Sequence, residues 1–240
     1  MGQVTGLQFD PEAHVYTYEG ATVPSVTTVL RMISGYAGAS EKVLAPYAKR
    51  GTEVHSLTEA YDLDSDFDPD TVAEDRRGYL YAWLHFRYDF DFQPTHIEER
   101  LFHPRLHYAG TADRFGRLRG EMSVIDIKTS AKLGPAVGVQ LAAYQHAFND
   151  ADIGVFGQKF TTEEIHGRYA VQLKPDGTYL VKEYDNPLDW DAFRGCLALH
   201  TWQQDHRFIL PDVRPRVDTS QPEASQWDRF KRENITKEIK

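Results

Sequence analysis

Three acids and one lysine hold the chemistry that this sequence can do. Glu98, Asp113 and Asp126 fall on three successive strand-like stretches, and Lys128 follows Asp126 by two residues. Strand side chains alternate between faces, so positions 126 and 128 project to the same side and can address one substrate phosphate. Gln140 and Tyr144 stand four residues apart in helical sequence, hence on one face. Hydrolysing a phosphodiester calls for a hard divalent cation that neutralises the phosphate and lowers the pKa of a bound water. Mg²⁺ takes oxygen ligands and keeps several waters, so two or three carboxylates suffice to hold it. A neighbouring lysine can orient the water, help to deprotonate it, or stabilise charge in the transition state. Chain order leaves all three roles open. It also leaves Glu98 competing with the adjacent Glu99, because one residue of slip exchanges the two faces.

The elements that must position these groups change character along the chain. Leu7–Phe9 and His14–Tyr18 flank the turn-type cluster Asp10-Pro11-Glu12 and read as a hairpin. Ser25 is a candidate cap for a short helix to about Ile33. A loop over 34–40 leads to a helix over about 41–61, with an interruption expected near Pro46 or Gly51. Residues 62–75 hold seven acids, but Phe67 stands where a calcium loop needs its glycine and Ala73 where it needs its glutamate. The segment reads as a solvated loop whose Asp70 caps the next helix, over about 71–89. Val72, Tyr79, Leu80, Ala82, Trp83 and Phe86 form that helix's buried stripe. Strands follow at Thr95–His103, Tyr108–Leu118 and Met122–Lys128, then a helix at about 136–148. A second hairpin over 167–173 and 178–184 leads to a last amphipathic helix at 187–206. The expected division is one α/β domain over residues 1–210 and a polar tail over 211–240 with a short helix at 223–235.

Composition excludes several classes. Thirteen Phe, thirteen Tyr and four Trp among 240 residues supply ample core, so general disorder is excluded. No run approaches the roughly 18 apolar residues of a membrane span. The first residues lack a signal-peptide pattern, and Gly6 stands where N-myristoylation wants Ser or Thr. The lone Cys196 excludes an internal disulfide, a cysteine zinc knuckle and an iron–sulfur cluster held by this chain alone. A cytoplasmic setting is expected. The net charge of −9 argues against a broadly basic surface but leaves room for a local basic channel. Lys42, Lys49 and Arg50 before His55, with Arg114, Arg117, Arg119, Lys128 and Lys132, are the candidates for such a channel. His14 is expected to pack in the hairpin, and His96, His103 and His107 form no zinc pattern.

Taken in order, Gly110-Thr111-Ala112-Asp113, Asp126-Ile127-Lys128 and Gln140-Leu141-Ala142-Ala143-Tyr144 resemble the G-x-x-D, D-x-K and Q-x-x-x-Y motifs of the PD-(D/E)XK nuclease superfamily. The chain is most similar to its RecB-like branch, which includes phage exonucleases and the mitochondrial genome maintenance exonuclease. Gly51-Thr52-Glu53-Val54-His55 resembles the branch's upstream helical histidine, and Ile97-Glu98 the acid before G-x-x-D. The resemblance spans about residues 7–184; each motif alone is weak, whereas five in order at sensible spacings are specific.

The resemblance implies a restriction-endonuclease-like fold, with a central mixed sheet flanked by helices, and a metal-dependent DNA exonuclease of phage recombination, replication or repair. It implies Mg²⁺ or Mn²⁺ on Asp113, Asp126, the Ile127 carbonyl, Glu98 and His55, with Lys128 as the catalytic lysine. His55 could instead contact phosphate. Gln140 and Tyr144 would touch the DNA backbone or brace the site, and Arg50 and Arg114 would bind substrate. DNA is the implied partner, together with a single-strand annealing or binding protein. An endonuclease of the same fold, or a DNA-binding module without turnover, remains as an alternative.

Overall fold

The computed structural model describes residues 6–34, 41–64, 66–151 and 163–206, with side chains in the first long helix described from residue 45. The chain divides into two units, residues 1–201 and 202–240; of the second, residues 202–206 are described. The expected tail therefore lies outside the described residues, as do residues 35–40 of the expected loop.

Five strands make the main sheet: β4 (Gln93–Phe102), β5 (Ala109–Leu118), β6 (Glu121–Lys128), β7 (Gly167–Leu173) and β8 (Tyr179–Glu183), in that spatial order. Short turns make β4–β5, β5–β6 and β7–β8 antiparallel. β6 and β7 are parallel, and the crossover that a parallel pair requires contains α4 (Pro135–Asp150). The architecture is the expected one: a mixed sheet covered by helices on both faces.

Both faces of β6 are buried, which is why Val124-Ile125-Asp126-Ile127 runs apolar on either side of its acid. Val124 packs into a core shared with α1 (Val26–Val29), α4 and α5 (Leu188–Asp205). Ile125 and Ile127 pack instead against Val54 of α2 (Glu41–Leu63) and Trp83 and Phe86 of α3 (Glu74–Asp89). Every residue expected in the buried stripe of α3 is buried.

A second sheet of β1 (Leu7–Asp10), β2 (Val15–Tyr18) and β3 (Ala21–Val23) extends the expected hairpin by one strand. It clamps the start of β5: Tyr16 Oη lies 2.7 Å from Thr111 Oγ1, and Ala109 N–H donates to the Pro24 carbonyl. Ser25 caps α1 by accepting from Thr28 N–H, as its type and position predict.

Two local expectations need correction. α2 is continuous through both Pro46 and Gly51. Proline removes one helical hydrogen bond, and here that loss falls on an exposed turn that the rest of a long helix carries. Asp70 does not cap α3, which starts at Glu74 behind Ala73 with no side-chain cap. Asp68 caps instead, accepting from Asp70 N–H at a separate 3-10 turn over Pro69–Thr71.

Candidate active site

The site forms where β5 and β6 part. Their ladder ends at the pair Arg114–Ile125, and beyond it the Asp113 side chain takes over, its Oδ2 accepting from the Ile127 N–H at 2.6 Å. On the other side, Ile97 pairs with Arg114 and Glu99 with Ala112, so Glu98 lies opposite Asp113. A bulge between Pro94 and His96 sets that register, and it decides between the two adjacent glutamates in favour of Glu98. Glu98 also has φ of +48°, a left-handed conformation costly for a residue with a Cβ and common where function holds it in place.

α2 delivers His55 over this gap. Val54, fully buried against the sheet, fixes the helix face, and the next residue leans over the acids. His55 Nε2 lies 2.9 Å from the Ile127 carbonyl, to which it can donate, while Nδ1 faces Asp113 Oδ1 at 3.4 Å and Glu98 Oε1 at 4.0 Å. Burial works against the imidazolium. The charge and hydrogen bond of Asp113, then the charge of Glu98, outweigh it and hold the pKa at about 9. Burial likewise pushes the Glu98 carboxyl up, assisted by the Asp113 charge and opposed by His55 and Arg114. Asp113 goes the other way: burial is overcome by His55, Lys128 and the Ile127 N–H, which keep it ionised.

Asp126 is almost fully buried, and burial raises its carboxyl pKa against the pull of Lys128. Lys128 Nζ lies 2.9 and 2.8 Å from its two oxygens and 3.4 Å from Gln140 Oε1. The Gln140 amide in turn donates to Tyr144 Oη at 3.1 Å. The Tyr144 ring packs against Gly110: a Cβ there would come within 2.7 Å of its Cε1. The glycine, the glutamine and the tyrosine thus form one brace running from β5 to the lysine.

A single divalent cation fits this donor set. One ligand atom each from His55, Glu98 and Asp113 lie within 4.8 Å of one another, and the set combines two hard oxygens with an imidazole nitrogen. The Ile127 carbonyl keeps a second lone pair beside them. Asp126, the other expected ligand, is paired with Lys128 and lies close enough to feel the charges of Asp113 and His55.

Two residues expected to meet substrate are buried, which for Tyr144 leaves the bracing role that was its other expectation. Arg114 has no exposed surface: it is spent on Asp62, Glu98, Thr58 and the Asp113 carbonyl, so it braces the site from behind. Tyr144 is 3% exposed and reaches the site only through Gln140. The expected basic channel is also narrower. Arg117 pairs with Glu163, and Arg119 stacks 4.6 Å over Phe90, neither at the acids. The open cleft, about 730 Å³, is lined by His55, Lys128, Lys132 and Gln140, together with Arg31 and Ser34. Arg50 lines an adjoining groove and donates to the Thr129 carbonyl at 3.2 Å. Sequence reading missed Arg31 and Ser34, which follow a short helix with no motif, and it missed Asp62, hidden in an acid-rich run.

No family model and no curated protein matches the chain. Among solved structures, the fold is similar to two crystal structures of LHK-Exo, an alkaline exonuclease from Laribacter hongkongensis. The structure of LHK-Exo in complex with dAMP is 11% identical at a TM-score of 0.46, covering 78% of this chain and 91% of that one. The second is 11% identical at a TM-score of 0.45, covering 77% and 90%.

Proposed function

We propose that this chain is a metal-dependent deoxyribonuclease of the PD-(D/E)XK type that hydrolyses phosphodiester bonds from DNA ends. The observation that carries this reading is the convergence of Glu98, Asp113, His55, Asp126 and Lys128 on the parting of β5 and β6, where His55, Ile127 and Lys128 also line an open cleft. A retired site has no physical need for three neighbouring carboxylates, two of them buried.

Asp113, Glu98 and His55 would hold Mg²⁺ or Mn²⁺, with the Ile127 carbonyl as a further ligand. The bound ion would polarise the phosphoryl group and acidify an attacking water. The chain's own groups do the rest. Asp113, kept ionised by its surroundings, supplies fixed negative charge. Asp126 and Gln140 hold the Lys128 ammonium in place beside the cleft, where it can stabilise charge that builds on the phosphoryl oxygens. Gln140, itself fixed by Tyr144, restricts how far the lysine can move. Arg31, Lys132 and the hydroxyls of Thr27, Ser34 and Ser130 line the same cleft and suit an anionic backbone.

The test uses end-labelled linear duplex and covalently closed circle, each with Mg²⁺ and with chelator. Metal-dependent loss of the linear substrate alone is the expected result. Cutting of the circle would make the chain an endonuclease of the same fold, and loss of neither substrate would refute the nuclease reading.

A further inference from the structure

The open cleft receives a DNA strand on one side of the acids only. It is lined by α1, α2, β6, α4 and the segments beside them, and by no residue of β4 or β5. The strand order β4-β5-β6 puts Lys128 and Glu98 on opposite sides of Asp113. A phosphodiester chain runs on past the bond being cut, so on the β4 side it meets groups outside the cleft. In a chain of net charge −9, with three carboxylates at the site, that side needs a cation of its own.

Arg100 supplies one. Among the described residues, Arg31, Arg100 and Arg119 are the arginines whose guanidinium makes no hydrogen bond or ion pair. Arg31 lines the cleft, and Arg119 lies over Phe90 away from the acids. Arg100 is exposed on β4, two residues past Glu98 and opposite Thr111, itself two residues before Asp113. Two strand residues span roughly 7 Å, within reach of a phosphate next to one held at the acids.

The guanidinium is also propped. It lies 5.5 Å from the centroid of the Phe9 ring, which packs on Tyr16 at 4.5 Å and on His14 at 5.3 Å. Tyr16 is buried, tied to Thr111 at 2.7 Å, and close enough to feel the charges of both Arg100 and Glu98. A guanidinium resting on an aromatic face keeps its N–H edge free for two oxygens of a phosphate, and less side-chain freedom remains to be lost on binding. The small N-terminal sheet thereby does more than clamp β5: it holds a cation at the rim of the site.

We infer that Arg100 binds a DNA backbone phosphate on the β4 side of the scissile bond, across from the phosphates that Arg31 and Lys132 meet in the cleft. This rests on the nuclease reading and adds a substrate contact to it.

The test is cleavage of linear duplex in Mg²⁺, with KM and kcat measured over a range of NaCl concentrations for wild type, Arg100→Ala and Arg100→Lys. A second arm uses duplexes in which one phosphate at a time near the cut end is an uncharged methylphosphonate, with Lys132→Ala as comparator. Losing one phosphate contact should flatten the slope of log KM against log salt by roughly 0.7–0.9 in Arg100→Ala, whereas Arg100→Lys keeps the charge and the slope. One methylphosphonate position should raise KM for wild type and not for Arg100→Ala. It should lie across the cut bond from the position coupled to Lys132→Ala. If Arg100 only supports Phe9, Arg100→Ala will lower the melting temperature and leave the salt slope and the methylphosphonate profile as in wild type. That result, with wild type still cutting, would overturn the inference alone, as would coupling of both variants to one and the same phosphate. A wild type without metal-dependent cleavage of linear DNA would overturn the nuclease reading and this contact together.

Discussion

Asp113 and Arg114 are consecutive on β5, yet they belong to opposite kinds of ionic site. Arg114 points into a closed one. Its Nε donates to Asp62 at 2.7 Å, and Asp62 also accepts from Arg87 and from the Trp83 indole, at 2.6 and 3.0 Å. Asp62 and Arg114 have no exposed side-chain surface, and their donors and acceptors are matched within the protein. Asp113 points into an open one. There three carboxylates face Lys128 and His55 at the edge of a cleft, and burial pushes two of the three, Glu98 and Asp126, towards their protonated forms. Period-two alternation starts the two side chains on opposite sides of one strand, and Glu98, which accepts from Arg114 at 3.0 Å, joins the two sites. A closed ionic cluster holds the fold together, whereas an open one with surplus like charge is held by the fold and suited to receive a cation.

Matched substitutions break or sharpen that contrast. Asp126→Asn should lower the cleavage rate by roughly 10²–10⁴-fold, because Lys128 loses its charged anchor, while the unfolding free energy holds or rises. Rates on linear duplex and a denaturant titration measure the two effects. Asp62→Asn should do the reverse in stability, costing about 3–5 kcal/mol, because the buried Arg114 and the half-buried Arg87 lose their counter-charge. Should Asp126→Asn prove as destabilising as Asp62→Asn, the two clusters do not differ in kind.

Gly110→Ala lies between the two regions. Its Cβ would meet Tyr144 Cε1 at 2.7 Å and Val26 Cγ2 at 3.2 Å, and the ring is tethered at Oη by Gln140. We expect a cost of about 1–3 kcal/mol in stability, measured by thermal unfolding, with a fall in rate as the brace behind Lys128 shifts.

The smallest effect belongs to a third, purely structural ionic group. His103 is buried beside Asp150, with Arg105 and His146 near it and its ring stacked on Trp190. Burial, then the charges of Arg105 and His146, pull its pKa down to about 4 against the pull of Asp150. A depressed histidine contributes stability above its unfolded pKa of about 6.5 that is lost as pH falls towards 4, since the unfolded chain takes the proton first. Wild type should therefore lose about 1–3 kcal/mol more than His103→Gln between pH 7 and pH 4 in paired denaturant titrations. Parallel curves would remove His103 from the account.

Much of this was legible in the chain. Turn residues between apolar runs placed the strands of the main sheet, period two put Asp126 and Lys128 on one side, and a four-residue spacing joined Gln140 to Tyr144. These are local facts, fixed by backbone geometry within a few residues. Long-range register was not legible. Nothing near Glu98 and Glu99 states which faces Asp113; a bulge at the start of β4 decides it. Nor does sequence show that Arg114 is consumed by Asp62, because that ion pair joins residues 52 positions apart. The glycine of G-x-x-D shows the same division. Its presence is plain in the sequence, but its reason, an aromatic ring packed against it, exists only once α4 has packed across β5. The sequence by itself determined the kinds of groups and their local spacing, since those depend on bond geometry. The tertiary structure alone decided which charges were neutralised and which were left facing the cleft, since that depends on packing between distant segments.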